Sequence, residues 1–118
     1  MSKHKFTLFV LLFSLIFNAP AWSTPAENGR KAVSAAGTAE RLSATNLWCN
    51  QVVVSAFEAN TDVVVIGKST VDATEASRTG LALFPGQTEY LGGSRSNLYE
   101  VWIDSEVNGE GASWICLN

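Results

Sequence analysis

From Glu40 to the last residue, short apolar runs alternate with clusters of turn-forming residues. The runs are rich in Val, Ile, Leu, Trp and Tyr and recur every 8 to 12 residues, which is typical of an all-β domain. We predict seven or eight short strands, within residues 41–45, 48–57, 62–67, 70–72, 81–84, 88–91, 97–104 and 112–117. They fold most economically as a single antiparallel β-sandwich, jelly-roll or immunoglobulin-like, because two packed sheets hide their apolar faces and limit exposed edges.

The sequences of the strands and turns predict which strand faces are buried and which turn types connect them. The uninterrupted runs Val52–Val54 and Val63–Ile66 predict a hairpin whose strands are covered on both faces. The pair Pro85-Gly86 predicts a type II turn, and Asn108-Gly109 predicts a type I′ hairpin turn. The segment 97–104 alternates, so we assign one set of its side chains to the core (Tyr99, Val101 and Ile103) and the other to solvent (Leu98, Glu100, Trp102 and Asp104).

The first 23 residues have the features of a secretory signal peptide. A basic start at Lys3–Lys5 precedes Phe6–Phe17, twelve residues of which ten are apolar, and cleavage is expected after Ser23, with Ala21 as the alternative. An uncleaved membrane anchor is the competing interpretation. Twelve residues span only about 18 Å as a helix, however, which is short of a hydrocarbon core of about 30 Å. We therefore expect an exported chain with no membrane contact after cleavage.

Cleavage changes the charge of the chain and removes its only histidine. The full sequence has eight Lys and Arg against eleven Asp and Glu, and without residues 1–23 the remaining 95 residues carry a formal net charge of −5. Nucleic-acid binding is excluded as a function, because it requires a basic surface. His4 is the single histidine, so the mature chain is expected to have no Ser-His-Asp or Cys-His catalysis and no His-ligated zinc.

The segment 24–39 that follows the signal is small, polar and aperiodic, with Val33 as its only sizeable apolar side chain. Such a segment buries too little apolar surface to offset its ordering entropy. We predict that it is a flexible N-terminal arm and that the sandwich domain occupies residues 40–118. An arm that orders against a neighbouring subunit is the alternative.

Cys49 and Cys116 are the only cysteines of the chain. An even pair in an exported chain predicts one disulfide, because the compartment is oxidising. The bridge would join the first strong strand to the last. Free or metal-bound thiols are the alternative, although two distant cysteines without histidine make a poor metal site.

Trp102 lies between Glu100 and Asp104 on the face that we assign to solvent. A tryptophan exposed between carboxylates is suited to stack on a sugar ring or to anchor a protein contact, so these three residues are our candidate ligand or partner contact. Calcium binding by residues 104–110 is an alternative use of the carboxylates. We predict no catalytic residue, no cofactor and no metal site. Another interpretation is that the tryptophans of the mature chain pack around the disulfide or cover the second sheet: Trp48, Trp102 and Trp114.

Three segments resemble a class of small phage-encoded virion accessory proteins: Val52–Thr74, Leu81–Gly86 with its Leu-x-Leu-x-Pro-Gly motif, and Asn97–Cys116. The resemblance covers about residues 41–117, and it implies a β-sandwich or jelly-roll module on a virion, as a head or tail accessory protein. It carries no catalytic residue. The chain departs from this class in its signal peptide and predicted disulfide, which fit an exported product attached to a surface or to a particle assembled at the envelope.

We therefore expect an exported, non-enzymatic structural or surface-interaction protein that is associated with a virion or prophage. Its partner is expected to be another protein or further copies of itself. Its expected location is secreted or periplasmic, and incorporation in an extracellular particle is one form that secretion could take. A secreted carbohydrate- or ligand-binding sandwich, with a glycan as partner, is the alternative. A hydrolase built on carboxylates alone fits less well, and so does a strand-donating pilus subunit, because the predicted arm lacks alternating apolar residues.

Overall fold

A computed structural model of the chain describes residues 25–92 and 94–118. The predicted signal peptide, residues 1–23, lies outside the described residues. The described part forms ten strands and two single-turn 3₁₀ helices, Glu75–Ser77 and Leu98–Glu100. The strands are β1 Pro25–Ala32, β2 Glu40–Arg41, β3 Trp48–Cys49, β4 Gln51–Ala56, β5 Val64–Gly67, β6 Leu81–Leu83, β7 Thr88–Leu91, β8 Ser96–Asn97, β9 Trp102–Ser105 and β10 Gly111–Leu117.

Eight of these strands form two antiparallel four-stranded sheets. Sheet A has the order β1-β10-β4-β7 and sheet B the order β2-β9-β5-β6, while β3 and β8 pair with each other. Counted along the chain, the first of the eight strands pairs with the eighth, the second with the seventh, the third with the sixth and the fourth with the fifth. This nested pairing is the connectivity of a jelly roll. It confirms the predicted antiparallel sandwich and decides between its two variants.

The segment predicted to be a flexible arm instead supplies an edge strand of sheet A. β1 pairs antiparallel with β10 from its first residue to its last, and Val33, directly after it, is fully buried. The arm was therefore a wrong prediction, and the domain begins at β1. The sequence hides this strand because its positions opposite the buried Cys116, Trp114 and Ala112 are Glu27, Gly29 and Lys31, so that no apolar alternation marks it.

The main core lies between the two sheets, and every strand of both sheets except β1, β2 and β7 contributes at least one fully buried side chain. Burying a Val, Leu or Ile side chain contributes roughly 1.5–3 kcal/mol each, so this core dominates the stability of the domain. Its buried members are Val33, Leu42, Cys49, Val52, Val54, Ala56, Val64, Ile66, Leu83, Leu98, Ile103, Ala112, Trp114 and Cys116. A second cluster is formed by Val63, Val65, Val71 and Ala73, with Ala39, Ala82 and Trp102 packed against it.

The outer faces of the two sheets differ in what covers them. Val65 of β5 points away from the main core but is fully buried, because the loop residues Val71 and Ala73 pack over that face. Val53 of β4 also points away from the main core and is only partly buried. Coverage on both faces is thus confirmed for β5 and wrong for β4. The two strands lie in different sheets, so the predicted hairpin between them is wrong as well.

One of the two predicted turns has the expected geometry. Gly86 has a φ of 78°, and the amide of Gln87 donates to the carbonyl of Phe84 at 2.9 Å, which confirms the type II turn. At Asn108-Gly109 only the glycine has a positive φ, of 85°. A type I′ turn needs a positive φ at both residues, so that prediction is wrong.

The 3₁₀ turn at 98–100 breaks the alternation predicted for segment 97–104. Side chains advance by about a third of a turn per residue in a 3₁₀ helix rather than by half a turn as in a strand. Leu98, assigned to solvent, is therefore fully buried, while Tyr99 and Val101, assigned to the core, remain partly exposed. Ile103, beyond the turn, is fully buried as predicted.

Cys49 and Cys116 form the predicted disulfide. Their Cα atoms are 5.3 Å apart, and both side chains are fully buried in the main core. The bridge ties β3 to β10, so it fixes the end of the last strand to the middle of the chain. A disulfide is consistent with an oxidising extracellular or periplasmic environment.

Candidate functional site

Glu100 and Trp102, two of the three predicted contact residues, are brought together by Arg41. The guanidinium carbon of Arg41 lies 3.7 Å from the ring centroid of Tyr99 and 4.5 Å from that of Trp102. Its Nη1 donates to the carbonyl of Tyr99 at 2.7 Å and lies 4.0 Å from the carboxylate of Glu100. Trp102 also packs against the second cluster and is half-buried. Its indole is therefore largely engaged within the molecule, and Arg41 occupies the ring face that a sugar would need.

The third predicted contact residue, Asp104, does not reach solvent. It is only 1% exposed. Its Oδ1 accepts a hydrogen bond from the amide of Gly37 at 3.1 Å and its Oδ2 one from the amide of Ala73 at 2.9 Å. The side chain points away from the main core, as the alternation predicts, but the loops that carry Gly37 and Ala73 cover it. Its assignment to solvent was therefore wrong, and its carboxylate holds two loops together.

Oxygen-bearing side chains follow Asp104 at every second position, and each of them also binds a backbone amide. Glu106 accepts from the β5–β6 loop at 2.9 Å, and Asn108 accepts from the β1–β2 loop at 2.7 Å. Glu110 accepts from two amides of the loop between β4 and β5. The four side chains therefore diverge toward three different loops. Among the described residues no group of three or more His, Cys, Asp or Glu could hold a metal ion, so the arrangement gives no support to the calcium alternative.

The three tryptophans of the described residues occupy different environments. Trp114 is 8% exposed and packs across Gly29, where a methyl group would lie 2.7 Å from the indole Cε2. Its Nε1 is buried with no hydrogen-bond partner in the described part of the chain. Trp48, in contrast, is 52% exposed. Its exposure follows from its position next to Cys49, because neighbouring strand residues point to opposite sides and Cys49 points into the core.

The outer face of sheet A carries two adjoining shallow depressions, of about 520 and 440 Å³. They share Arg30, Ser55 and Ser113, and the partly buried Val53 and Ile115 form an apolar floor in the first of them. We call this surface the outer A face, defined by Asn28, Arg30, Val53, Ser55, Ser113 and Ile115.

Tyr90 extends the outer A face at its β7 edge. It is opposite Val53 in the β4–β7 register, so both side chains lie on the same face, and it is 63% exposed. On the same pair of strands, the hydroxyl of Thr88 donates to the Ser55 hydroxyl at 3.0 Å. This face therefore combines an exposed aromatic ring, an apolar floor and hydroxyl groups. Sequence reasoning missed it because its β1 part was taken for an arm.

Two opposite charges without partners border the second depression. Arg30 places its guanidinium carbon 4.4 Å from the ring centroid of Phe57, and Glu58 lines the same depression. The ion pairs within the described residues are Lys31–Glu40 and Arg41–Glu100. In this part of the chain, neither the Arg30 guanidinium nor the Glu58 carboxylate has a hydrogen-bonded or ion-paired partner.

The carboxyl group with a strongly shifted pKa is that of Glu40, which lies away from the outer A face, where the edges of the two sheets meet. Burial raises the pKa of Glu40, but hydrogen bonds from the Ala35 amide, Lys31 and Ser34 outweigh it and lower that pKa from 4.5 to about 2. The Lys31 Nζ lies 2.9 Å from the Glu40 carboxylate, so the pair links β1 of sheet A to β2 of sheet B. The perturbation thus has a structural cause.

Comparison of the chain with protein-family models, with curated proteins and with solved structures finds no match. None of the helices within the described residues is long and apolar enough to cross a membrane. The function must therefore be argued from the surfaces described above.

Proposed function

We propose that the chain is an exported, non-enzymatic structural or surface-interaction protein, associated with a virion or prophage-derived particle, that binds its protein partner through the outer A face. The observation that carries this proposal is the difference between the two sheets. Sheet B buries its outer face under its own loop residues, whereas Val53 and Ile115 on the outer side of sheet A remain partly exposed. Partly exposed apolar groups rimmed by polar ones are typical of a protein interaction site.

The use made of the carboxylates supports a structural role. Asp104 and Glu110 are buried, and both bind backbone amides of neighbouring loops. Groups held in this way stabilise loops, and they are not poised for proton transfer to a substrate. The resemblance of segments 52–74, 81–86 and 97–116 to virion accessory proteins points in the same direction.

The experiment is a fractionation of cultures of the source organism. We expect mass spectrometry to find the chain enriched in sedimented extracellular particles, with an N-terminus created after Ala21 or Ser23. The variant Ile115→Asp, on the outer A face, should fold but leave the particle fraction. Phe84→Asp is the matched control, since Phe84 is 66% exposed in a turn outside that face, and it should remain with particles. Recovery of the wild-type chain only as free protein, or with residues 1–23 intact in the cytosol, would refute the proposal.

A glycan-binding module is the second candidate, and the exposed Trp48 favours it. The guanidinium carbon of Arg95 lies 5.8 Å from a ring centroid of Trp48, and the amide groups of Asn46 and Asn97 bind each other nearby, at 2.9 Å. An exposed indole beside amides is suited to stack on and hydrogen-bond a sugar. A glycan array should show binding that Trp48→Ala removes and that Trp102→Ala, at the half-buried indole under Arg41, preserves. An array with no binding, or binding insensitive to Trp48→Ala, rejects this candidate.

A further inference from the structure

We propose that the partner bound by the outer A face is a second copy of this chain, related by a two-fold axis, with Arg30 of each copy opposite Glu58 of the other. This inference rests on the proposed function, because it names the partner of the same surface. It is carried by the shape of the face, by its apolar floor and by the two unpaired charges at its border.

The shape of the outer A face suits a broad partner. The two depressions adjoin and are shallow and open, whereas small-molecule sites are enclosed clefts that bury most of their ligand. Val53 and Ile115 on the central strands, with the exposed ring of Tyr90 beside them, provide an apolar centre. A macromolecular surface laid across the sheet would remove these groups from water.

The charges at the border of the outer A face indicate that its partner is a second copy of the chain. Arg30 and Glu58 line the same depression and are unpaired within the described residues, although a contact between them would neutralise both. In a two-fold interface the same patch meets itself, so a contact from residue i to residue j is repeated from j to i. A patch that holds one unpaired cation and one unpaired anion is complementary to its own copy.

A two-fold arrangement pairs the unpaired charges of both copies. An axis that passes between Arg30 and Glu58, near the shared Ser55 and Ser113, forms two ion pairs at once. The Arg30 guanidinium already lies on the Phe57 ring, so less of its side-chain entropy would be lost on pairing. Arginine held in this way is common among the residues that contribute most to binding at protein interfaces.

The experiment measures the mass of the folded mature chain by sedimentation equilibrium, with four proteins compared. Wild type should be a dimer at about 100 µM, where a micromolar dissociation constant leaves most chains paired. Arg30→Glu alone and Glu58→Arg alone should each raise the dissociation constant about tenfold or more, because two like-charge contacts replace two ion pairs. An equimolar mixture of these two variants should pair as a heterodimer with the dissociation constant of the wild type, and the double variant R30E/E58R should regain that constant.

The control is Lys68→Glu, an exposed charge reversal on the loop over sheet B, and it should leave the dimer unchanged. Circular dichroism and the thermal midpoint establish that each variant is folded. A monomeric wild type overturns the inference, and so does a mixture that binds no more tightly than either variant alone while both variants are folded. If the wild type is monomeric and Ile115→Asp still removes it from particles, the inference fails while the proposed function stands. If the reciprocal exchange works but no particle association is found, the inference stands and the particle role fails.

Discussion

Asp104 and Ala73 are joined by a buried hydrogen bond in which the amide of Ala73 donates to Oδ2 of Asp104 at 2.9 Å. The other carboxylate oxygen accepts from Gly37, so one side chain fixes two loops on the outer side of sheet B. Hydrogen bonds to a buried charged group contribute more than neutral ones. The role of Asp104 is therefore to hold the β1–β2 and β5–β6 loops against the outer side of sheet B.

We predict that Asp104→Asn destabilises the protein by about 2–3 kcal/mol, because the amide keeps one acceptor but turns its NH₂ group toward a second backbone N–H. Urea unfolding followed by circular dichroism measures the loss. The control is Glu106→Gln, since Glu106 is exposed and binds one loop amide, and it should cost less than about 1 kcal/mol. Equal losses for the two variants would contradict the assigned role of Asp104.

The Cys49–Cys116 bridge should contribute a large part of the stability. The two residues are 67 positions apart, and on the chain-entropy model such a closure stabilises by about 4 kcal/mol. We expect the double variant Cys49→Ala/Cys116→Ala to lose about that amount in urea unfolding. Wild type under reducing conditions should behave like the double variant. A loss well below 1 kcal/mol would show that the unfolded chain is constrained by other means.

Gly29 is required by the indole of Trp114. A methyl group at Gly29 would approach the indole Cε2 to 2.7 Å, and overpacking of this kind costs about 1–3 kcal/mol. We predict that Gly29→Ala destabilises by that amount. The smaller ring of Trp114→Phe should reduce the cost of Gly29→Ala, and a double-mutant cycle of unfolding free energies measures the coupling. Additive effects of the two substitutions would show that the indole and the glycine do not constrain each other.

The contacts of Glu40 with Lys31, Ser34 and Ala35 should make the protein lose stability in acid. Its folded pKa of about 2 lies below the ordinary value of 4.5, so the unfolded chain takes up the proton first. The contribution of the carboxylate is therefore complete above pH 4.5 and is lost as the pH falls toward about 2. The difference in thermal midpoint between wild type and Glu40→Gln should be largest near neutral pH and shrink across this window.

Glu27→Gln, an exposed carboxyl on β1, corrects the Glu40 comparison for the general effect of net charge. A Glu40→Gln difference that is constant from neutral pH down to pH 2 would contradict the assigned ion pair with Lys31 and the hydrogen bonds from Ser34 and Ala35.

Features with a local cause could be predicted from the sequence. Strand β7 has the predicted bounds because turn-forming residues flank it on both sides. The type II turn followed from Pro85-Gly86, since proline fixes one φ and glycine accepts the other. The pairing of Cys49 with Cys116 followed from there being two cysteines in an exported chain. In each case a few adjacent residues, or a count, determined the result.

Features that depend on distant contacts could not be predicted. β1 exists because Gly29 leaves room for Trp114 and Lys31 reaches Glu40, and neither reason is visible in an apolar pattern. Asp104 was placed on the correct side of its strand, but the loops that bury it come from residues far away in the chain. Distant contacts also decide which surface is the candidate site. Arg41 covers the Trp102 ring, whereas the outer A face and Trp48 remain exposed.

The nested pairing of the strands also orders the steps by which the domain can form. The β5–β6 pair is the innermost of the nested pairs, and it joins segments that are close in the chain. The outermost pair, β1 with β10, joins the first and last strands of the domain. Pairing β1 with β10 closes a loop of most of the domain, which is slow and entropically costly, while a local hairpin forms within microseconds. We therefore expect nucleation near residues 64–83 and growth outward. The edge strand that presents Arg30 would dock last, so the outer A face would be completed only once the final strand is available.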